Sequence, residues 1–179
     1  MVGQSSSACI ARQLALDAPE AVRSLVLADP ARPAQPTPAH LQMVRTVAQP
    51  ALERYGSGDQ AGAIDVWMRG VCGDGYREPL ERVLPGAVEQ AVADADTFFG
   101  QELPAVMQWA FGAEEAARVT QPALALVGER SIVVFHERRD LLLEWLPHAQ
   151  PFELPGATHL LQVENPAGMA EALMAFMRT

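Results

Sequence analysis

Two short, unbroken apolar runs, Leu25-Val26-Leu27-Ala28 and Ala123-Leu124-Ala125-Leu126-Val127, constrain this chain more than any other feature. Neither run alternates with polar residues, so neither suits a strand with one face in water. Both suit strands covered on both faces, as in a parallel sheet. Each run stops at turn residues, Asp29-Pro30 in the first case and Gly128 in the second. Around them the apolar spacing is helical, and alternation of this kind predicts crossover units lying side by side in one sheet.

The helical stretches have legible ends. Residues 8–18 are apolar on most sides, with Ile10 and Leu14 one turn apart and polar breaks at Arg12, Gln13 and Asp17, which predicts a largely buried helix closed by Pro19. A proline-rich turn follows Asp29. From residue 37 to about 112 the pattern stays helical, carried by Ile64, Trp67, Met68 and Val71 and then by Leu80, Leu84, Val88 and Val92. Breaks at Gly56-Ser57-Gly58, Cys72-Gly73-Asp74-Gly75 and Pro85-Gly86 divide it into several short helices. Residues 135–146 form a helix stopped by Pro147, and Pro151-Phe152-Glu153-Leu154 is a last short strand. Asn165 as N-cap with Pro166 at the first helical position opens a closing helix whose Met169, Leu173, Phe176 and Met177 are expected to point inward. The fold class is α/β: parallel strands with flanking helices and a helical insertion. Residues 1–35 and 114–179 supply the core and residues 36–113 the insertion. Ligands bind outside the carboxyl ends of strands in open parallel sheets, so an insertion there acts as a lid.

Composition excludes several classes. The chain has 179 residues, 49% of them hydrophobic and 20% charged, which is ordinary globular composition. A formal net charge of −9 with dispersed arginines argues against a nucleic-acid partner. No signal-peptide pattern is present, and no apolar run approaches the ~20 residues of a membrane span, so a cytoplasmic protein without a membrane partner is expected. Cys9 and Cys72 have neither disulfide-framework nor metal-ligand spacing and read as buried free thiols. Asp74, between two glycines, lacks the further acidic ligands of a calcium loop. The tryptophans and methionines read as core and lid packing, with Phe98, Phe99 and Trp109 available to line a pocket.

The chemistry-bearing pattern is Gly3-Gln4-Ser5-Ser6-Ser7, in which an apolar segment turns sharply into a helix. It differs from the Gly-x-Ser-x-Gly elbow only at its last position, where Ser7 is a modest misfit. Taken alone, Ser5 reads more readily as a helix N-cap than as a nucleophile. A second group accompanies it: His159, in the glycine-led loop Gly156-Ala157-Thr158-His159 just beyond the last strand. His40, His136 and His148 lie on or beside helices, with no loop to present them.

In the order and spacing of these pieces the chain resembles the alpha/beta-hydrolase fold family, from the nucleophile elbow to the C-terminus. The resemblance is carried by Val2-Gly3-Gln4-Ser5, the helix and strand of residues 15–27, the strand of residues 122–128, Leu154-Pro155-Gly156-Ala157-Thr158-His159 and Glu164-Asn165-Pro166. It implies Ser5 as nucleophile, His159 as general base and the Ser6 amide as an oxyanion donor, with no cofactor or metal. Many relatives carry the triad acid at the position of Ser131, which here holds none. Other branches place it after the preceding strand, where Asp29 stands; Asp29 is preferred to Glu129, although it also suits a turn before proline. The family's strands before the elbow, and the loop that gives its second oxyanion donor, have no counterpart here, so the chain reads as the C-terminal part of an enzyme.

Two functions follow from this reading. One is a serine hydrolase of a small-to-medium, uncharged ester, lactone or related acyl substrate. The other is a partial or degenerate hydrolase that binds or oligomerises without turnover, self-associating through an exposed sheet edge.

Overall fold

Four strands, β1 (Val2–Ser5), β2 (Leu25–Pro30), β3 (Ala123–Gly128) and β4 (Gln150–Leu154), form one parallel sheet in sequence order. The structure is a computed structural model and describes residues 1–31 and 36–178. The proline-rich turn expected after Asp29 falls in part on residues 32–35, outside the described residues.

The unbroken apolar runs arise because the sheet is covered on both sides. Leu25 and Leu27 of β2 pack with Ala8, Ala11 and Ala15 of α1 (Ser7–Asp17), and with Leu142 and Leu146 at the end of the helix after β3. Val26 and Ala28 point the other way, into a cluster with Leu124, Leu126, Met169 and Phe176. Every residue of β2 and β3 is buried, as period-2 alternation with two covered faces requires.

The expected insertion is present. α2 (Pro38–Met43) is capped by Thr37, whose hydroxyl accepts from the His40 amide at 3.1 Å, and runs through a π-helical turn at Val44–Ala48 into α3 (Gln49–Gly56). Asp59 caps α4 (Gln60–Cys72), accepting from the Gly62 amide at 2.9 Å. Then come α5 (Arg77–Val83), α6 (Ala87–Ala93), α7 (Ala95–Thr97), a second π-helical turn at Phe98–Glu102 and α8 (Leu103–Gln108). Short α9 (Ala113–Ala116) leads back to the sheet, and α10 (Val133–Trp145), α11 (Leu161–Glu164) and α12 (Pro166–Phe176) complete the core. Val71, Cys72, Tyr76, Leu80 and Val88 of the insertion share an apolar cluster with Val127 at the end of β3 and with Leu160 and Val163. That cluster seats the insertion over the carboxyl ends of the strands.

Packing departs from expectation at Ile10, Arg12 and Met177. Ile10 is 67% exposed and Arg12 is buried, so α1 turns the small residues Ala8, Cys9, Ala11 and Ala15 inward together with the Arg12 side chain. Arg12 lies against the stacked rings of Trp109 and Phe111, at 4.6 and 4.9 Å from their centroids, and donates to the backbone oxygens of Ala8 and Ala31. Burial lowers its pKa to about 10. Met177 lies beyond the end of α12 and is exposed, as is Leu84, the C-cap residue of α5.

Candidate active site

β1 ends in a strained turn. Ser5 has φ 51°, in the left-handed region that non-glycine residues rarely adopt, and α1 begins two residues later. The glycine before it is obligatory, because a Cβ on Gly3 would stand 2.5 Å from the Ser7 carbonyl oxygen. Ser7 is not the misfit its position suggests: its hydroxyl accepts from the Gln4 amide at 2.8 Å and donates to the Gln4 carbonyl at 2.7 Å. Both polar groups of that residue are thereby paired, which a glycine at position 7 could not do. Ser6, not Ser5, occupies the N-cap position of α1. Its side chain makes no cap and donates instead to Glu102, in the second π-helical turn of the insertion. First-turn amides of a helix lack intrahelical acceptors and favour negative charge, and this is the setting of the Ser6 amide.

β2 ends in a bulge. Gln4 pairs with Ala28 and Ser5 with Pro30, so Asp29 is the extra residue, at φ 39°. Bulges re-aim a side chain beside a site. Asp29 is fully buried, and its carboxylate has three donors: the Gly128 amide to Oδ1 at 3.1 Å, and to Oδ2 both Ser131 Oγ at 2.6 Å and His159 Nδ1 at 2.9 Å. An ionised carboxylate only accepts, so Nδ1 of His159 carries the proton and Nε2 is left as the basic nitrogen. Glu129 is elsewhere, exposed and accepting from the Gly156 amide at 2.6 Å.

The loop that presents His159 is fixed from several sides. Glu164 accepts from the Thr158 amide and hydroxyl at 2.6 and 2.8 Å, and Gln4 Nε2 donates to the His159 carbonyl at 2.6 Å. Asn165 caps α12 through the Gly168 amide at 2.9 Å and donates to the Pro155 carbonyl at 2.9 Å. Phe135 stacks on the imidazole, with ring centroids 4.3 Å apart and planes inclined by 8°. Gly128 makes room for the loop, since a Cβ there would stand 2.5 Å from the Ala157 carbonyl oxygen.

Ser5, Ser6 and His159 line one cavity of about 510 Å³ under the insertion. Among the described residues no hydrogen bond joins Ser5 Oγ to His159; they meet across this space. The walls are largely apolar, with Met43, Trp67, Val71, Phe98, Leu103 and Phe135 prominent. Of the three aromatics expected at a pocket, Phe98 lines this cavity. Phe99 is buried against Tyr55, and Trp109 stacks on Phe111 while its indole N–H donates to Gln13. His40, set aside by its helical position, does reach the cavity wall, where Arg138 Nη2 donates to its Nδ1 at 3.0 Å. Cys72 is buried nearby, and burial together with the charges of Glu164 and Asp29 pushes its thiol up to about 12, so it stays protonated. No group of residues able to hold a metal ion occurs among the described residues, and no described helix is long and apolar enough to cross a membrane.

The sequence matches no family model and no curated protein. Its structure is similar to an enol-lactonase from Burkholderia xenovorans at 16% identity and a TM-score of 0.76, covering 99% of this chain and 65% of that one. It is similar as well to an N-acyl homoserine lactone degrading enzyme, at 21% identity and a TM-score of 0.68, covering 98% and 66%. A third similar structure is an alpha/beta hydrolase from Sphaerobacter thermophilus, at 20% identity and a TM-score of 0.67, again covering 98% and 66%. The chain therefore spans just under two thirds of the length of these structures. Four parallel strands in this order, with helices on both faces and a helical insertion over their carboxyl ends, make the chain a partial alpha/beta-hydrolase fold.

Proposed function

We propose that the protein is a serine-dependent hydrolase of small-to-medium ester or related acyl substrates. The observation that carries this reading is the Asp29–His159 hydrogen bond of 2.9 Å at the wall of the cavity that Ser5 also lines. In this scheme Ser5 Oγ attacks the acyl carbon and His159 Nε2 takes its proton. The Ser6 amide donates to the oxyanion, and the protonated imidazole, held by Asp29, returns the proton to the leaving alcohol. Water, deprotonated in turn by His159, then releases the acyl group from Ser5. The Ser5–His159 contact forms when substrate fills the cavity, as catalytic hydrogen bonds commonly tighten on binding. The apolar walls suit an uncharged acyl chain, and the lactonase among the similar structures supports a cyclic ester as one form of it. Release of p-nitrophenol from the acetate, butyrate and octanoate esters tests the reading. Turnover lost in Ser5→Ala is expected, and a folded wild-type protein inert to all three contradicts it.

One observation favours the binding or oligomerising alternative. β1 lies at the sheet edge, paired only with β2 among the described residues, and Val2 on it is 55% exposed, with Met1 and Ile10 also exposed. An exposed apolar edge favours pairing with a second copy. Light scattering decides this: a concentration-dependent dimer supports edge pairing and a strict monomer removes it.

A further inference from the structure

Ser131 stands where a carboxylate is common in this fold, yet it is neither surface-exposed nor idle. It is buried, and its hydroxyl donates at 2.6 Å to Asp29 Oδ2, the oxygen that also accepts from His159. The turn that carries it is fastened on both flanks. The Ser131 amide donates to the Gly128 carbonyl at 3.0 Å, the Glu129 amide to Leu154 at 2.9 Å and the Arg130 amide to Ala157 at 2.8 Å. The hydroxyl is thus held by the same loop that carries His159, and the Gly128 amide from that turn holds the other carboxylate oxygen.

We propose that Ser131 is a positioning residue, which fixes the Asp29 carboxylate toward His159 and tempers its hold on the imidazole proton. This rests on the reading of His159 as the base. A neutral donor on an ionised carboxylate disperses its charge. Without it, Oδ2 has His159 as its remaining donor, and the pair holds a proton more tightly. The imidazole then stays protonated to higher pH and is a poorer base at neutral pH.

The other charged or titratable groups around the pair are Cys72 on α4, protonated throughout, Glu164 on α11, occupied by Thr158, Glu129 and Arg130 in the turn, Arg138 on α10 and His40 on α2 beyond Phe135, and Glu102 on Ser6. The Ser131 hydroxyl donates to Asp29 rather than to any of them.

The test is an NMR titration of the imidazoles in Ser131→Ala, Ser131→Cys and Ser131→Thr, with the His159 signal identified by its loss in His159→Gln. Ser131→Ala is expected to raise the His159 midpoint by roughly 0.5–1 pH unit. The nearly isosteric, weakly donating cysteine shifts it the same way by less, and threonine, which keeps the hydroxyl, restores it. The acidic limb of kcat/KM moves by the same amount. Unchanged midpoints in the alanine and cysteine variants overturn the proposal; if alanine does not fold, cysteine decides alone. Because the titration needs no turnover, a shifted midpoint in a protein that hydrolyses nothing upholds the role of Ser131 and sinks the hydrolase reading instead.

Discussion

Ser5, the last residue of β1, and Asp29, one residue from the end of the adjacent parallel β2, share the same rare backbone conformation, at φ 51° and 39°, and the register between their strands slips by the one residue that is Asp29. Strain of this kind persists where surrounding structure over-determines it, and it clusters at functional sites. Ser5 gains from it a half-buried position at the start of α1, on the wall of the cavity. Asp29 gains a side chain aimed past the end of β3 toward His159.

The acid assignment has a direct consequence. Asp29→Asn keeps the volume but presents an amide to His159 Nδ1, favouring the wrong tautomer. Loss of about 10³–10⁴-fold in kcat is expected, against less than about threefold for Glu129→Gln. Equal losses in the two variants would refute the assignment.

Gly3 is required by packing, so Gly3→Ala forces a backbone shift where strand and helix meet. Urea denaturation is expected to show a loss of about 1–3 kcal/mol. Gly75→Ala, with nothing within 4 Å of the added methyl, is the control and should be near neutral.

Asp65 links the insertion to acid stability. Its carboxylate accepts from Arg69 Nε at 2.7 Å, Arg77 Nη2 at 2.9 Å and the Tyr76 hydroxyl at 3.0 Å, and these donors, Arg69 foremost, hold its pKa down to about 2. A folded-state value below the unfolded value of about 3.9 means that the folded state binds fewer protons there. The contribution is therefore full above about pH 4 and is lost as pH falls toward about 2. Thermal melts of Asp65→Asn should lose the part of the wild-type decline that falls in this window; superimposable profiles would count against it.

Phe98 bounds the cavity and packs edge-on against Trp67 at 5.0 Å between centroids. Phe98→Leu opens space beside the proposed acyl position. The octanoate-to-acetate ratio of kcat/KM for p-nitrophenyl esters should rise about 3- to 10-fold. A ratio that does not move places the acyl chain elsewhere.

Burial on both faces made β2 and β3 legible, because a strand covered twice has nowhere to put a polar residue. Asn165-Pro166 announced α12 through local cap chemistry. Long-range partners left no such trace. Ser131 next to Asp29 and Ser6 next to Glu102 are pairings across 102 and 96 residues, and no periodicity encodes them. Arg12 read as a polar break in a helix, yet its cation is buried against two stacked rings supplied by the far end of the insertion. Ser7 looked like a defect in a glycine motif because a sequence pattern shows missing glycines but not hydrogen bonds gained. The two π-helical turns, which bring Val44, Ala48, Phe98 and Glu102 to the cavity, have no signature at the residue level.

The proposed hydrolase stands or falls with Ser5 as an activated nucleophile served by His159. Labelling of the purified, folded protein with a fluorophosphonate probe tests it without knowledge of the substrate. Covalent labelling at Ser5 is expected, abolished in Ser5→Ala and reduced by at least about 10³-fold in rate in His159→Ala. A folded protein that takes up no label, labelling that persists in Ser5→Ala, or an undiminished labelling rate in His159→Ala would contradict it.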